Sequence, residues 1–139
     1  MITFIDTNVL VYLFDADAPE KKARALELFA ATTLADEAVL STQVLQEFFV
    51  TVTRKLQTPL PLDRAEQVVS ELASLPMVSV DAPLVLRGIA RQRTTGYSFW
   101  DALIIDAALA GGAERLLTED LQNGQVIDGL RIENPFMDG

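Results

Sequence analysis

The stretch Phe4-Ile5-Asp6-Thr7-Asn8 decides how this chain of 139 residues is expected to fold. The apolar run Ile2–Ile5 ends in a carboxylate, a hydroxyl and a carboxamide, and a second apolar run begins at once at Val9. This pattern is typical of a buried strand that passes directly into a helix. Because ligands bind at the carboxyl ends of strands in open α/β sheets, we expect Asp6 at a ligand-binding edge.

The rest of the chain alternates short apolar runs with segments of helical periodicity. Further buried strands are predicted at 38–41, 77–80 and 114–118, and short edge strands at 126–127 and 131–133. Helices are predicted at about 8–15, 20–33, 42–55, 63–75, 82–93 and 99–110. Ser41 or Thr42, Asp63, Asp81 and Ser98 are placed to cap helices, and the last helix is apolar nearly all round, so it should be buried. This alternation indicates one α/β domain over residues 1–139 with a mostly parallel sheet.

The composition excludes several kinds of chemistry. The chain has no cysteine and no histidine, which rules out Ser-His-Asp triads, Cys-His nucleophiles, disulfides and ordinary zinc sites. Oxygen ligands remain, and these favour Mg²⁺ or Mn²⁺. No apolar run approaches the roughly 18 residues of a membrane span, and the N-terminus lacks a signal-peptide pattern, so we expect a cytoplasmic protein without a membrane segment.

The net charge of −9 argues at first against a nucleic-acid ligand, since phosphate binding normally requires a positive surface. The argument weakens if several acids surround metal ions, because the ions reverse the local sign of charge. It also weakens if a basic partner covers part of the surface.

Four acids stand where the predicted layout would bring them together. Asp6 follows the first strand, and Asp120 follows the fourth strand. Glu47 lies in the second turn of the helix after the second strand, and Asp101 in the first turn of the apolar helix. Four carboxylates held together repel each other strongly without a cation. A Mg²⁺ site would remove that repulsion and lower the pKa of a bound water that attacks phosphorus, so the set predicts metal-assisted phosphodiester hydrolysis.

Each acid also has a structural interpretation. Asp6 and Thr7 could cap the first helix, and Ser98 with Asp101 matches the spacing of a capping box. Asp120 could belong to a turn, and Glu47 could be a charge on a helix surface. Each alternative is reasonable singly, but four idle acids at mutually compatible positions are the less favoured interpretation.

Other polar and aromatic residues receive weaker assignments. Asp106 interrupts the apolar helix about 140° round from Asp101, so a structural partner or an interface is expected rather than a fifth ligand. A few basic residues could contact phosphate, although a solvated surface is favoured for each: Arg54, Lys55, Arg91 and Arg93. Three aromatic residues could stack on bases, but at the border of a buried helix they are more often core: Tyr97, Phe99 and Trp100.

Four segments together resemble the signature regions of PIN-domain nucleases, and most closely the bacterial VapC-like group. The segments are Asp6-Thr7-Asn8, Ser41-Thr42-Gln43-Val44-Leu45-Gln46-Glu47-Phe48, Ser98-Phe99-Trp100-Asp101-Ala102-Leu103-Ile104 and Leu117-Thr118-Glu119-Asp120-Leu121. They occur in the family's order and span essentially the whole chain. The resemblance implies a three-layer α/β/α sandwich around a parallel sheet and Mg²⁺- or Mn²⁺-dependent endoribonuclease activity.

The resemblance also implies partners and site residues. VapC-like members act on structured or translation-related RNA, form homodimers, and are inhibited by a cognate antitoxin that inserts a C-terminal segment into the site. The family's acidic quartet corresponds to Asp6, Glu47, Asp101 and Asp120, with Asp6 and Asp101 expected as main metal ligands. Thr118 matches a supporting hydroxyl and Asn8 a polar position beside the first acid. Asp106 departs from the pattern, because the family usually has a small apolar residue there.

Four other functions are the alternatives to this one. An Asp-based phosphatase needs a second Asp two residues after the first, where this chain has Asn8. A receiver domain needs an acid pair near its N-terminus and a late Lys, and neither is evident; a P-loop NTPase is excluded because GxxxxGK[ST] is absent. A non-catalytic module that keeps the fold and binds RNA or protein stays open, although the intact quartet argues against it.

Overall fold

The computed structural model describes residues 1–137, which form six strands and six helices. The strands are β1 Thr3–Ile5, β2 Ala38–Ser41, β3 Met77–Val78, β4 Arg115–Leu117, β5 Val126–Ile127 and β6 Leu130–Glu133. The helices are α1 Thr7–Tyr12, α2 Pro19–Leu34, α3 Thr42–Arg54, α4 Leu62–Leu72, α5 Ala82–Thr95 and α6 Phe99–Ala110. The predicted elements are therefore all present, with ends that differ from the prediction by a few residues.

All six strands form one sheet in the order β3-β2-β1-β4-β6-β5, and every neighbouring pair is parallel except β5 with β6. From β1 to β3 the chain moves outward on one side, and it then crosses back to β4 on the other side of β1. Right-handed crossovers place the helices of these two halves on opposite faces of the sheet. The three-layer α/β/α fold with a mostly parallel sheet is thus confirmed.

One edge assignment was wrong. The prediction made both C-terminal strands edge strands, but β6 lies inside the sheet between β4 and β5. Its apolar residues Leu130 and Ile132 are fully buried, whereas Val126 of β5 is largely exposed. The periodicity of a four-residue strand does not reveal how many neighbours it has, which explains the error.

Helix α6 forms the centre of one layer. It contacts α5, β2 and β3, and its residues 102–108 are all buried, as its apolar character predicted. A run of this kind can be stable only when it is enclosed on nearly every side. The Gln43 side chain lies 3.5 Å from the Trp100 carbonyl oxygen, so the first turn of α6, with Asp101, lies beside the start of α3 at the carboxyl end of β2.

Helix caps explain most of the helix starts. Ser41, Asp81 and Ser98 each accept a hydrogen bond from the backbone amide three residues later. The cap predicted at Asp63 was wrong, because α4 begins one residue earlier and Pro61 occupies the cap position without a side-chain hydrogen bond. Asp63 instead lies in the first turn, where its negative charge interacts favourably with the positive end of the helix dipole.

The buried Asp106 has a structural partner, as its position on α6 predicted. Arg91 of α5 donates from Nε and Nη2 to the two carboxylate oxygens of Asp106, at 2.9 and 3.1 Å. The same guanidinium donates to Asp128 in the β5–β6 turn at 3.0 Å. This cluster connects both helices of one layer to the end of the sheet. Across residues 1–137, no helix has the length and apolar character needed to span a membrane.

Candidate active site

Asp6 lies at the floor of the site, at the point where the strand order reverses. The parallel register pairs Ile5 with Leu117, which brings the next residues, Asp6 and Thr118, side by side. The Thr118 hydroxyl donates to Oδ2 of Asp6 at 2.8 Å, and the Thr7 amide donates to Oδ1 at 2.7 Å. Asp6 thereby caps α1 and also occupies the switch point of the sheet, where ligands of open α/β folds bind.

A polar network connects Asp6 to Asp120. The Asn8 amide nitrogen lies 3.0 Å from Oδ2 of Asp120, 3.2 Å from Oγ1 of Thr118 and 3.5 Å from Oδ2 of Asp6. Its carbonyl oxygen accepts from the Glu119 backbone at 3.3 Å, which orients the amide group toward the acids. The Asp120 backbone donates to the Thr118 hydroxyl at 3.1 Å. Thr118 and Asn8 therefore hold both carboxylates, consistent with the supporting positions expected of them.

Glu47 reaches the site from α3 and is held by a residue that sequence reasoning missed. The Gln43 side chain donates to Oε1 of Glu47 at 2.6 Å and lies 3.5 Å from the Trp100 carbonyl oxygen. Gln43 is buried and precedes Glu47 by four residues, which puts both on one helix face. That spacing was the only signal in the sequence that could have revealed its role.

Asp101 lies in the first turn of α6, and half of the predicted capping box forms there. Its backbone donates to the Ser98 hydroxyl at 3.1 Å. In the part of the chain that the structure describes, the Asp101 carboxylate makes no return hydrogen bond to Ser98. The cap thus leaves this carboxylate available for the site.

The electrostatics of the site couple the four acids. Burial raises the pKa of Asp6 to about 7, against the opposing hydrogen bonds from Thr118 and Thr7, and the charges of Asp120 and Glu47 raise it further. Loss of solvent also raises the pKa of Glu47; the hydrogen bond from Gln43 and the charge of Lys55 oppose the increase, while Asp101 and Asp120 add to it. The charges of two other acids thus act on the pKa of Asp6, and the charges of Asp101 and Asp120 act on the pKa of Glu47. The fold gathers negative charge here and, among residues 1–137, pairs Asp6 with no Lys or Arg.

The donor set fits a hard divalent cation that keeps part of its water shell. Among the described residues, no three acidic side chains approach closely enough to enclose a metal ion by themselves. Mg²⁺ does not need such a cage, because it usually binds one or two carboxylates and retains several waters. Asn8, Glu47, Lys55 and Asp120 line a pocket of about 350 Å³, which has room for a hydrated ion, whereas Asp6 and Asp101 are not among its lining residues.

Two unsatisfied polar atoms mark the same region. Within residues 1–137, the buried side-chain atoms without a hydrogen-bond partner are Oγ1 of Thr7 and Oε1 of Gln43. Thr7 follows Asp6 and lines the pocket, and Gln43 holds Glu47. Native proteins give nearly all buried polar groups a hydrogen-bond partner. Because both atoms that lack one lie beside the acids, this region has the character of a functional site and not only of packed core.

A second network that the sequence did not reveal borders the pocket. The Tyr12 hydroxyl donates to Oε1 of Glu119 at 2.5 Å, and Lys21 donates to Oε2 of Glu119 at 2.9 Å. Lys21 also lies 3.1 Å from the Tyr12 hydroxyl oxygen. These residues come from α1, α2 and the loop after β4, and no local pattern connects such distant segments. The charge of Lys21 is compensated by Glu119, so it does not neutralise Asp6 or Asp120.

Together, the sheet order and the acidic pocket at its switch point define a class of α/β protein whose candidate site draws carboxylates from strand ends and from helices. A family model for the PIN domain matches residues 3–126. The match spans most of the chain, so the chain belongs to the PIN domain family, as the four sequence segments indicated.

Solved structures with the same fold were also found. A toxin-antitoxin complex from Klebsiella pneumoniae aligns with a TM-score of 0.69 at 18% identity, covering 96% of this chain and 98% of that one. VapC20 of Mycobacterium tuberculosis, described as a Sarcin-Ricin loop cleaving toxin, aligns at 0.65 and 21% identity over 82% and 86%. VapBC2 of Rickettsia felis, bound to a DNA fragment from its promoter, aligns at 0.62 and 22% identity over 96% and 98%. At these identities the likeness shows the fold. A comparison with curated protein sequences found no match.

Proposed function

We propose that this protein is a metal-dependent endoribonuclease that hydrolyses RNA phosphodiester bonds with Mg²⁺ or Mn²⁺, and that it is the toxin of a toxin–antitoxin pair. The observation that carries the proposal is the buried Asp6 carboxylate, which lies near the acids Glu47 and Asp120 and, within residues 1–137, forms no ion pair with a Lys or Arg. Membership of the PIN family supports a nuclease. The similarity in fold to a toxin described as cleaving the sarcin–ricin loop supports RNA as the substrate class.

In the proposed mechanism, a bound divalent cation would neutralise phosphate charge and lower the pKa of a coordinated water. Asp6 and Asp101 would hold the ion, and Glu47 and Asp120 would complete the site and would orient a water for attack on the phosphate. Thr118 and Asn8 keep the Asp6 and Asp120 carboxylates in place through the hydrogen bonds described above. Because burial raises the pKa of Asp6 to about 7, this carboxyl would have to be ionised in order to serve as a ligand. The expected products carry 5′-phosphate and 3′-hydroxyl ends.

The proposed partners follow from the same similarity. Structures with this fold include complexes described as toxin–antitoxin and VapBC assemblies. We propose that a cognate antitoxin inhibits this chain, that two copies form a homodimer, and that residues 1–139 act as one domain in the cytoplasm. Co-expression with the product of a small neighbouring gene tests the antitoxin, because inhibition of cleavage and formation of a stable complex are expected together.

The central experiment compares two buried aspartates. Cleavage of a labelled RNA is measured with Mg²⁺ and with EDTA for the wild type, Asp6→Asn and the matched control Asp106→Asn. We expect Asp6→Asn to lower the rate by at least roughly a hundredfold, because the charged carboxylate that would hold the divalent cation at the phosphate is lost. Asp106→Asn should stay within severalfold of the wild type, since Asp106 pairs with Arg91 outside the pocket.

Two results would contradict the proposal. If Asp6→Asn cleaved RNA at the wild-type rate, Asp6 would not be a catalytic residue. Product ends of 2′,3′-cyclic phosphate, read by mass spectrometry, would show that the ribose hydroxyl and not water is the nucleophile.

A further inference from the structure

Trp100 is exposed, contrary to the sequence-based expectation of a core residue. It is the chain's only tryptophan, and 62% of its surface is accessible, although it lies in the first turn of the buried helix α6. Its neighbours Tyr97 and Phe99 do pack against the core, and the Phe99 ring contacts the Trp100 ring edge to face at 5.2 Å between centroids. Tryptophan is highly buried on average, so an exposed indole next to the candidate catalytic residue Asp101 indicates a surface that binds a ligand.

Trp100 lines a pocket that shares several lining residues with the acidic pocket. This pocket has a volume of about 460 Å³, and its other walls include Gln46, Glu47, Val50, Thr51 and Lys55. Glu47, Thr51 and Lys55 also line the smaller pocket that contains Asn8 and Asp120. The spacing of four residues puts Glu47 and Thr51 on one face of α3, and Lys55 follows directly after the helix ends, so Glu47 borders both pockets. Trp100 is also the residue immediately before Asp101 in the chain.

We propose that Trp100 and its pocket form a stacking subsite for an unpaired base of RNA, next to the phosphodiester bond that the acidic site cleaves. The proposal rests on the proposed nuclease function and names its substrate class as single-stranded or looped RNA. A base inside a duplex stacks on its neighbours, whereas an unpaired base can be turned out onto an aromatic side chain. Stacking on an indole depends little on which base is present, because every base has a π-face.

The chemistry of the walls matches a nucleotide. Val50 supplies an apolar surface, and Gln46 and Thr51 supply groups that can hydrogen-bond to base edges. Lys55 contributes positive charge to a pocket of a protein whose net charge is −9, which complements a phosphate near the stacked base. A protein partner over Trp100 is the competing occupant, and a binding experiment separates the two.

The single tryptophan makes the test direct. Asp6→Asn serves as the background that prevents cleavage, and Mg²⁺ is present throughout. Intrinsic fluorescence is recorded while three kinds of RNA are titrated into the protein. They are a six-nucleotide single strand, the same strand with one abasic position at each site in turn, and a matched duplex. We expect the single strand to quench Trp100, and we expect the duplex and at least one abasic strand to quench it far less.

Three variants on that background show whether the aromatic ring is responsible. Trp100→Ala should bind the single strand roughly five- to a hundredfold more weakly, measured by anisotropy of a labelled strand. Trp100→Phe should recover most of that affinity, and Leu86→Ala, which removes an equally exposed apolar side chain from α5, should leave it unchanged. With the catalytic residues intact, Trp100→Ala should raise KM more than it lowers kcat, because stacking binds ground and transition states alike.

The outcomes distinguish this subsite from the nuclease itself. Unchanged RNA affinity in Trp100→Ala, with cleavage still abolished by Asp6→Asn, would overturn the subsite alone. Quenching by single strands, combined with cleavage that survives Asp6→Asn, would support the subsite and overturn the catalytic assignment. If Trp100→Ala instead converted a dimer to a monomer at unchanged RNA affinity, the indole would be a protein contact and the proposal would be wrong.

Discussion

Asp6 and Asp106 are buried to the same degree, each with 7% of its surface accessible, but the protein treats their charges in opposite ways. Asp106 receives both hydrogen bonds of a bidentate pair from Arg91, at 2.9 and 3.1 Å. Within residues 1–137, Asp6 receives hydrogen bonds only from neutral groups, the Thr118 hydroxyl and the Thr7 and Asn8 nitrogens. Its nearest charges are the acids Asp120 and Glu47, which raise its pKa further.

This contrast separates a structural acid from a functional one. A buried charge costs several kcal/mol unless an opposite charge and hydrogen bonds compensate it. At Asp106 the chain supplies the opposite charge itself. At Asp6 it supplies hydrogen bonds alone, and the missing positive charge is what a divalent cation would bring. Burial by itself therefore does not identify a site; the absence of a compensating side chain does.

The largest expected effect tests the structural member of the pair. Asp106→Asn removes the charge that compensates Arg91 and leaves that guanidinium, which is mostly buried, with the exposed Asp128 alone. We expect a loss of about 3 kcal/mol in the free energy of unfolding, the scale measured for breaking a buried pair, and a fall of about 10 °C in melting temperature. Urea denaturation at pH 8 measures it.

A matched substitution makes the same chemical change at the other buried aspartate. Asp6→Asn changes the same atoms at the same burial, yet it should not destabilise the metal-free protein at pH 8 by this amount, because no cation loses its partner there. Equal losses in the two variants would show that Asp6 also has a compensating charge, and the contrast would disappear.

The next effect concerns pH. Because the pKa of Asp6 rises from 3.8 to about 7 on folding, the unfolded state holds fewer protons between those values, and stability must fall as pH increases. Between pH 5 and pH 8 the metal-free protein should lose about 2 to 3 kcal/mol, with the raised pKa of Glu47 acting in the same direction. Denaturation in EDTA at the two pH values measures the change.

Two controls assign that loss to Asp6. Asp6→Asn should flatten the dependence on pH, and Mg²⁺ should restore stability at pH 8 in the wild type, because it binds the ionised form. A wild type equally stable at pH 5 and pH 8 without metal would mean that Asp6 ionises as freely in the folded protein as in the unfolded chain.

The sequence predicted the parts of this molecule that depend on local pattern. The apolar runs located all six strands, and the position of Asp6 directly after the first run predicted that it lies at the carboxyl ends of the strands. The angle between Asp106 and Asp101 on one helix predicted that Asp106 would point away from the site, and it pairs with Arg91. Each of these inferences needs only the geometry of one element.

What the sequence missed depends on how elements are arranged in space. The network of Tyr12, Lys21 and Glu119 joins three separated segments, and no regular spacing of residues in the sequence indicates it. The exposure of Trp100 depends on which faces of α6 are covered, which an apolar helix does not reveal. The Asp63 cap failed for a different reason: helix α4 begins one residue earlier, and helix ends are the least predictable feature of a pattern.

The smallest effect tests how Asp6 is held in place without a cation. Thr118→Val keeps the shape of the side chain but removes the hydroxyl that donates to Asp6 at 2.8 Å and accepts from Asn8 and the Asp120 backbone. Groups that orient metal ligands typically contribute 10- to 100-fold to metal affinity. We expect the Mg²⁺ concentration for half-maximal RNA cleavage to rise by about that factor, while the rate at saturating Mg²⁺ stays within severalfold of the wild type. Thr118→Ser, which keeps the hydroxyl, should restore the affinity. A loss of rate that no Mg²⁺ concentration recovers would mean that the hydroxyl acts on the reaction itself, and that Asp6 does not depend on Thr118 to bind the ion.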